Sequence, residues 1–193
     1  IDACARKNSR TRELAEAVLS CLPHSQDDVN RINLYDIELR PADEETIEKR
    51  DASLRSDSFS DPVYDLAKQF ALADDIIIAS PYWDLSCPAV LKLYIENISV
   101  NGITFCYDES GALHGMCHAR KVYYVTTAGG EIGKNNFGYD YVKAVSSDLY
   151  GIKDTTCIRA VCLDMPSVDE RAVLDNAKSQ LNNLLMLKRG QVL

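Results

Sequence analysis

Residues 75–88 read Asp75-Ile76-Ile77-Ile78-Ala79-Ser80-Pro81-Tyr82-Trp83-Asp84-Leu85-Ser86-Cys87-Pro88. The short apolar run that opens this segment, set between turn signals, is typical of a parallel strand buried on both faces. Two prolines and two aromatic residues follow the strand at once. Because proline fixes the backbone, they predict a stiff loop at the carboxyl end of that strand. Pro88 then opens a predicted helix over 88–98, in which apolar residues recur at spacings of three and four.

Strands and helices continue to alternate on both sides of this segment. Further strands are predicted over 1–4, 29–35, 121–127 and 155–163, and the first is expected to be the end of a strand that begins before Ile1. Further helices are predicted over 14–22, 61–70 and 139–149, with a short helix inside 41–58 and a loop or small hairpin over 101–119. A capping box of Ser167 and Glu170 predicts the start of the last helix, whose apolar face carries Leu174, Ala177, Leu181 and Leu184.

This alternation implies right-handed βαβ units and a parallel sheet covered by helices on both faces. A chain of 193 residues has room for about five strands and five helices, so we predict one α/β domain over 1–193. The expected architecture is a doubly wound, five-stranded parallel sheet of strand order 2-1-3-4-5. In such sheets ligands bind beyond the carboxyl ends of the strands, so the loops that follow the strands are the candidate binding segments.

Composition excludes several classes of protein. The chain is 46% hydrophobic and 26% charged, as globular domains are, which excludes disorder of the whole chain. Its net charge is −8 and it has neither a basic stripe nor an apolar run of membrane-spanning length, so we expect no nucleic-acid partner and no membrane partner. Seven cysteines without a CxxC motif predict small, buried thiols in the reducing cytoplasm. No metal site is expected.

Three of the loops suit a flat, phosphorylated ligand. Ser9, Arg10 and Thr11 lead into a helix N-terminus, which favours phosphate, although plain helix capping uses the same residue types. The segment Pro81-Tyr82-Trp83-Asp84-Leu85 can present backbone groups and an aromatic face to a heterocycle, although a structural turn with a packed tryptophan is the alternative. The segment Thr127-Ala128-Gly129-Gly130 lets the backbone adopt a positive φ and approach a ligand closely, although flexibility alone would also explain paired glycines.

Together these segments resemble the FMN-dependent NAD(P)H oxidoreductases of flavodoxin-like fold, the quinone reductase and azoreductase family. The resemblance spans essentially the whole chain and is carried by residues 80–92, 102–107, 121–130 and 9–11. Two departures concern substrate specificity rather than flavin binding. Ala3 and Cys4 stand where azoreductases often have a serine after the first strand, and Ala128 stands where they often have an arginine before the paired glycines.

The resemblance implies FMN as cofactor, NADH or NADPH as co-substrate, and transfer of electrons to a quinone, azo or nitro acceptor by a ping-pong mechanism. Ser9, Arg10 and Thr11 would hold the FMN phosphate. The isoalloxazine ring and ribityl chain would be bordered by Pro81, Tyr82, Trp83, Asp84 and Leu85, and the other edge of the ring by Thr127, Ala128, Gly129 and Gly130. Because the cofactor carries the chemistry, no side chain is expected to act as a catalytic acid or base.

Two alternatives remain open. A flavodoxin-type one-electron carrier is the first, and its acidic charge would suit docking to basic partners, but the long segment over 99–119 exceeds what a minimal carrier needs. A fold that binds no flavin is the second. We also expect a homodimer, since helix 88–98 carries Leu91, Tyr94, Ile95 and Ile98 on one face, although the same face could belong to the core.

Overall fold

A computed structural model describes residues 1–181 of the chain. The helices are α1 (Arg10–Ser20), α2 (Glu44–Ser56), α3 (Asp65–Leu72), α4 (Ala89–Ile98), α5 (Phe137–Ala144) and α6 (Glu170–Ser179). The strands are β1 (Asp75–Ala79), β2 (Phe105–Tyr107), β3 (Leu113–Gly115), β4 (Lys121–Thr127) and β5 (Asp154–Ala160). Short 3₁₀ turns cover Gln26–Asp28 and Pro62–Tyr64, and a π-helical turn over Val145–Leu149 extends α5. No described helix combines the length and apolarity needed to cross a membrane.

A parallel sheet of strand order β1-β4-β5 forms the centre of the molecule. Ile76 of β1 pairs with Val122 of β4, and Val125 of β4 pairs with Ile158 of β5. Every residue of the central strand β4 is buried, because helices cover both faces of the sheet. The predicted α/β class with a parallel sheet is therefore confirmed.

The predicted strands over 1–4 and 29–35 contribute only isolated bridges. Asp2 bridges Ala79 on one side and Asn33 on the other, both in parallel orientation. Two local turns end these contacts. The Asp2 carboxylate accepts the N–H of Cys4 at 2.8 Å, and the Asn33 side-chain oxygen accepts the N–H of Tyr35 at 3.2 Å. Because such side-chain contacts draw the backbone into a turn, regular pairing stops just after it starts.

Element boundaries differ from the sequence prediction at the later elements. The predicted capping box of Ser167 and Glu170 is wrong, since the N-cap of α6 is Asp169, whose carboxylate accepts the N–H groups of Arg171 and Ala172. Strand β5 ends at Ala160, not at residue 163. The hairpin of β2 and β3 lies within 101–119 as one of the two predicted alternatives, and α2 lies within 41–58 as predicted. Leu184 lies outside the described residues.

Two apolar layers fill the space between the sheet and its helices. One packs α3, α4 and α5 against one face, and the other packs α1 and α6 against the opposite face. The apolar face of α4 belongs to the first layer, where Leu91, Tyr94, Ile95 and Ile98 are all buried. The prediction of a dimer contact through this face is therefore wrong, because the face is covered within a single chain.

All seven cysteines are free thiols. Only Cys4 is fully buried, and the other six are half-buried, so the prediction of generally buried cysteines is too strong. Burial raises the pKa of Cys4 and of Cys117 to about 12 and that of Cys157 to about 11. These three side chains are therefore neutral near pH 7 and act as small packing groups.

The start of α5 packs directly on the loop after β1 at Gly138. A Cβ added there would lie 2.6 Å from the Tyr124 hydroxyl and 2.8 Å from the backbone nitrogen of Cys87. We therefore expect Gly138→Ala to lower the free energy of unfolding by about 1–3 kcal/mol, although alanine favours a helix. The control is Gly133→Ala, since a Cβ at Gly133 would meet nothing within 4 Å. Urea denaturation measures both, and equal stability of the two variants would contradict the close packing.

Candidate functional site

The turn before α1 exposes backbone donors. Ser9 is the N-cap, and its hydroxyl accepts the N–H of Arg12 at 3.3 Å. The N–H groups of Arg10 and Thr11 precede the first intrahelical bond, which Glu13 makes to the Ser9 carbonyl at 3.0 Å. These two donors and the positive end of the helix dipole suit an anion at this turn.

Thr11 connects this turn to the central strand. It is 1% exposed, and its hydroxyl lies 2.6 Å from the hydroxyl of Thr127 at the end of β4. The side chain of Thr11 therefore joins two of the predicted binding segments, while its backbone N–H faces the helix start.

Arg10, the first residue of α1, follows Ser9 directly at the same turn. Its Nη1 atom donates to Asp164 Oδ1 and to Glu170 Oε2, each at 2.8 Å, and to the Leu163 carbonyl at 3.3 Å. The guanidinium lowers the pKa of Asp164 by this hydrogen bond. Sequence reasoning missed both carboxylates, because 150 or more residues separate them from Arg10 and no local pattern connects them.

A second arginine braces the turn from behind. The Arg12 guanidinium pairs with Asp2 and donates to the carbonyls of Cys4 at 3.0 Å, Arg6 at 3.0 Å and Lys7 at 2.6 Å. Because these three carbonyls accept from one side chain, the backbone from residue 4 to residue 7 is held around Arg12. This role was also missed, since Arg12 was not among the predicted ligands.

The loop after β1 is held at both ends. The Tyr82 N–H donates to the Thr127 carbonyl at 3.0 Å, and the Tyr82 hydroxyl donates to the Asn135 carbonyl at 2.8 Å. Trp83 and Ser86 exchange two backbone hydrogen bonds at 3.0 and 2.7 Å. Asp84 and Leu85 between them have φ of 51° and 65°, which is the geometry of a tight two-residue turn. A leucine in this left-handed region costs roughly 1–2 kcal/mol, so the surrounding contacts must hold the turn in place.

The paired glycines after β4 differ in their surroundings, and neither uses the left-handed backbone that glycine allows. Neither Gly129 nor Gly130 has a positive φ. At Gly129 the Asp164 carboxylate occupies the position a Cβ would take, and the Asp164 N–H donates to the Gly129 carbonyl at 2.9 Å. At Gly130 an added Cβ would meet nothing within 4 Å, so this residue faces open space beside the loop.

The fold brings all three predicted segments to one end of the sheet. Thr127 contacts Thr11 through its hydroxyl and Tyr82 through its carbonyl, so the three loops share one junction. Trp83, Leu85 and Phe137 remain 42%, 51% and 54% exposed, and the Phe137 N–H donates to the Leu85 carbonyl at 3.0 Å. An anion-binding turn, open backbone at Gly130 and exposed apolar side chains fit a flat heterocycle that carries a phosphate.

A cavity of about 850 Å³ lies elsewhere, along β1, and its lining includes both ends of that strand, Asp75 and Ala79. Its lining includes Ile1, Ile32, Ile76 and Arg120, and none of the twelve predicted ligand residues is part of it. The candidate site at the carboxyl ends of the strands is therefore separate from this cavity.

Fold and site together define an α/β protein with a candidate ligand-binding edge at the carboxyl ends of a parallel sheet. A family model described as flavodoxin-like fold matches residues 1–185. The chain therefore belongs to the flavodoxin-like family.

Two curated relatives narrow this assignment. The FMN-dependent NADH:quinone oxidoreductase of Coprothermobacter proteolyticus is 33% identical over 180 residues, which is 89% of this chain and 89% of the relative. FMN-dependent NADH:quinone oxidoreductase 2 of Clostridium acetobutylicum is 42% identical over 115 residues, which is 57% of this chain and 56% of the relative. The chain thus belongs to the FMN-dependent NADH:quinone oxidoreductase family, and the resemblance drawn from the sequence is confirmed.

Solved structures agree on the fold. An azoreductase from Bacillus anthracis superposes with a TM-score of 0.77 at 18% identity and covers 95% of each chain. An FMN-dependent NADH-azoreductase from the same organism, solved in complex with FMN, has a TM-score of 0.71 at 21% identity and covers 93% of this chain and 91% of its own.

The Thr11–Thr127 contact can be tested by a mutant cycle. We expect Thr11→Val to lower the free energy of unfolding by about 1–2 kcal/mol, because it leaves the Thr127 hydroxyl buried without its partner. The Thr11→Val/Thr127→Val variant is expected to lose less than the sum of the two single changes. Thr126→Val is the matched control, since the buried Thr126 hydroxyl has no hydrogen-bond partner among the described residues. Additive losses in urea denaturation would show that the two hydroxyls are not coupled.

Proposed function

We propose that this chain is an FMN-dependent oxidoreductase that transfers electrons from NADH or NADPH to quinone, azo or nitro acceptors. The observation that carries this proposal is the junction at Thr127, where an anion-binding turn, a stiff aromatic loop and a glycine segment meet. The names of the curated relatives support FMN, NADH and quinones in particular. They also favour an enzyme over the one-electron carrier that the sequence left open.

Each predicted segment has a distinct part in holding FMN. The phosphate is proposed to lie against the N–H groups of Arg10 and Thr11 and the Ser9 hydroxyl, with the Arg10 guanidinium beside it. Pro81, Tyr82, Trp83, Asp84 and Leu85 are proposed to border the ring and the ribityl chain. Thr127, Ala128, Gly129 and Gly130 are proposed to offer backbone to the opposite edge of the ring, where Gly130 leaves open space.

Bound FMN would supply the two-electron chemistry. The residues of the chain would bind FMN, orient it towards its substrates and exclude competing reactions. Two hydrogen bonds of Tyr82, from its N–H to the Thr127 carbonyl and from its hydroxyl to the Asn135 carbonyl, fix the position of the loop after β1. The exposed face of Trp83 offers apolar contact to a flat nicotinamide or acceptor.

A valine at Gly130 tests the ring position. Because no atom lies within 4 Å of the added Cβ, Gly130→Val should leave the free energy of unfolding nearly unchanged. We expect FMN affinity, measured by quenching of flavin fluorescence, to fall at least about tenfold, since the side chain fills space proposed for the ring. Gly133→Val is the matched control, because Gly133 also has open space in front of it. Unchanged FMN affinity in Gly130→Val would place the ring elsewhere.

We further propose a ping-pong mechanism. Nicotinamide and acceptor are proposed to use the same apolar surface, the exposed face of Trp83, in turn. Initial rates measured at several fixed acceptor concentrations should therefore give parallel lines in double-reciprocal plots against NADH. Intersecting lines would show that both substrates bind together, which would rule out a shared surface.

The five-stranded order 2-1-3-4-5 is also proposed for the sheet. These numbers count the strands predicted from the sequence, so that 1 is the segment 1–4, 2 is the segment 29–35, and 3, 4 and 5 are β1, β4 and β5. The bridges of Asp2 support it, since they place residue 2 between Asn33 and Ala79 and so extend the sheet on the open side of β1. The Ala3 N–H donates to the Ala79 carbonyl at 2.8 Å, and the Asp2 N–H donates to the Ile32 carbonyl at 2.7 Å. We also propose that the protein is located in the cytoplasm. The seven cysteines are free thiols, and a reducing cytoplasm would keep them reduced.

A homodimer remains a proposal, now without the α4 face. The side chains of Leu85 and Phe137 are exposed and lie next to each other, since the Phe137 N–H donates to the Leu85 carbonyl, and a second copy could cover them. We expect sedimentation equilibrium at micromolar concentration to give twice the chain mass of 21.5 kDa. A Phe137→Ser variant should shift the equilibrium towards monomer, whereas a single 21.5 kDa species in the unmodified protein would contradict the proposal.

A further inference from the structure

We propose that Asp164 and Glu170 compete with the flavin phosphate for Arg10, and so weaken the preference of the site for phosphorylated flavin. This inference rests on the proposed function, because it concerns the same turn and the same cofactor. It assigns a role at the site to two residues that the proposed ligand set does not include.

The geometry of Arg10 carries the argument. A single nitrogen, Nη1, is shared by the two carboxylates at 2.8 Å each and by the Leu163 carbonyl at 3.3 Å. Within the described part of the chain, Nε and Nη2 make no hydrogen bond, so Arg10 keeps donors for a further acceptor. The cluster nevertheless carries one positive and two negative charges, so a phosphate that reaches Arg10 approaches a group whose charge is already more than balanced.

The backbones of both acidic residues are anchored beside Arg10. The Asp164 N–H donates to the Gly129 carbonyl at 2.9 Å, and its carboxylate packs on the Gly129 backbone. Glu170 is the first residue of α6, whose N-cap is the neighbouring Asp169. Because both backbones are anchored, the two acidic side chains stay within reach of Arg10 when a dianionic phosphate binds at the first turn of α1.

Solvent weakens the repulsion between these two carboxylates and a bound phosphate, but it does not remove it. The side chains of Asp164 and Glu170 are 64% and 57% exposed, so water screens each of them. Arg6 acts in the opposite direction, since its charge contributes to lowering the pKa of Asp164 and remains near the turn. The balance leaves phosphate binding possible and makes its strength depend on the two carboxylates.

Riboflavin separates this effect from any effect on the ring, because it has the same ring and ribityl chain as FMN but no phosphate. The experiment measures dissociation constants of both flavins by fluorescence quenching for the unmodified chain, Asp164→Asn, Glu170→Gln and the double variant. Asparagine and glutamine keep the shape and can still accept from Arg10, but remove the charge. The control is Glu16→Gln, which removes the same charge from an exposed ion pair of α1 with Arg31.

We expect the double variant to bind FMN about tenfold more tightly, and each single variant to show part of that gain. Riboflavin affinity should stay within about twofold in every variant, and Glu16→Gln should leave both flavins unchanged. An FMN affinity that falls in the double variant would overturn the inference, because the carboxylates would then orient Arg10 for the phosphate instead of competing with it.

Two other outcomes would also overturn it. If the affinities for FMN and riboflavin change equally, the effect lies at Gly129 and the ring. If the ratio of the two dissociation constants is the same in the double variant and in the unmodified chain, and FMN binds tightly to both, the carboxylates do not influence phosphate binding. Failure of the unmodified chain to bind either flavin would instead overturn the proposed function, and this inference with it. Unfolding curves of each variant show that the fold is retained, since both substituted side chains are exposed.

Discussion

The site depends on where β4 ends. Thr127 is the last residue of that strand, and it uses its hydroxyl for Thr11 and its carbonyl for Tyr82. The strand itself is buried along its whole length, so its end is fixed by the core and not by the loops. Because the other two segments are hydrogen-bonded to this fixed point, the position of the whole edge follows from the packing of β4 between two layers of helices.

Two arginines hold the charged groups around the turn before α1. Behind the turn, Arg12 gathers the carbonyls of residues 4, 6 and 7 and pairs with Asp2, which fixes the backbone without facing the ligand. In front of it, Arg10 faces the entrance but is held by acidic groups from the segment after β5. Two arginines two residues apart therefore have different tasks, one structural and one towards the ligand, and helix geometry turns them to different sides of α1.

The sequence was sufficient for the central elements because each carries a strong local signal. The apolar run of β1 and the buried spacing of α4 are both found where they were predicted. Residues 1–4 and 29–35 were predicted less well, since apolar alternation does not show that Asp2 and Asn33 bend the backbone. The apolar face of α4 looked the same whether it served a dimer or the core, and only the position of α3 and α5 decides between them.

The same limit applies to the site. Local motifs identified the three loops, because a helix start, a proline turn and paired glycines are each contiguous in the chain. They could not identify Asp164, which approaches both Gly129 and Arg10 from a distant part of the sequence. The reason for a glycine at position 129 is accordingly not backbone conformation but the space that one carboxylate occupies. A motif thus reports which backbone a ligand can reach, while the charges that set how tightly it binds arrive through the tertiary fold.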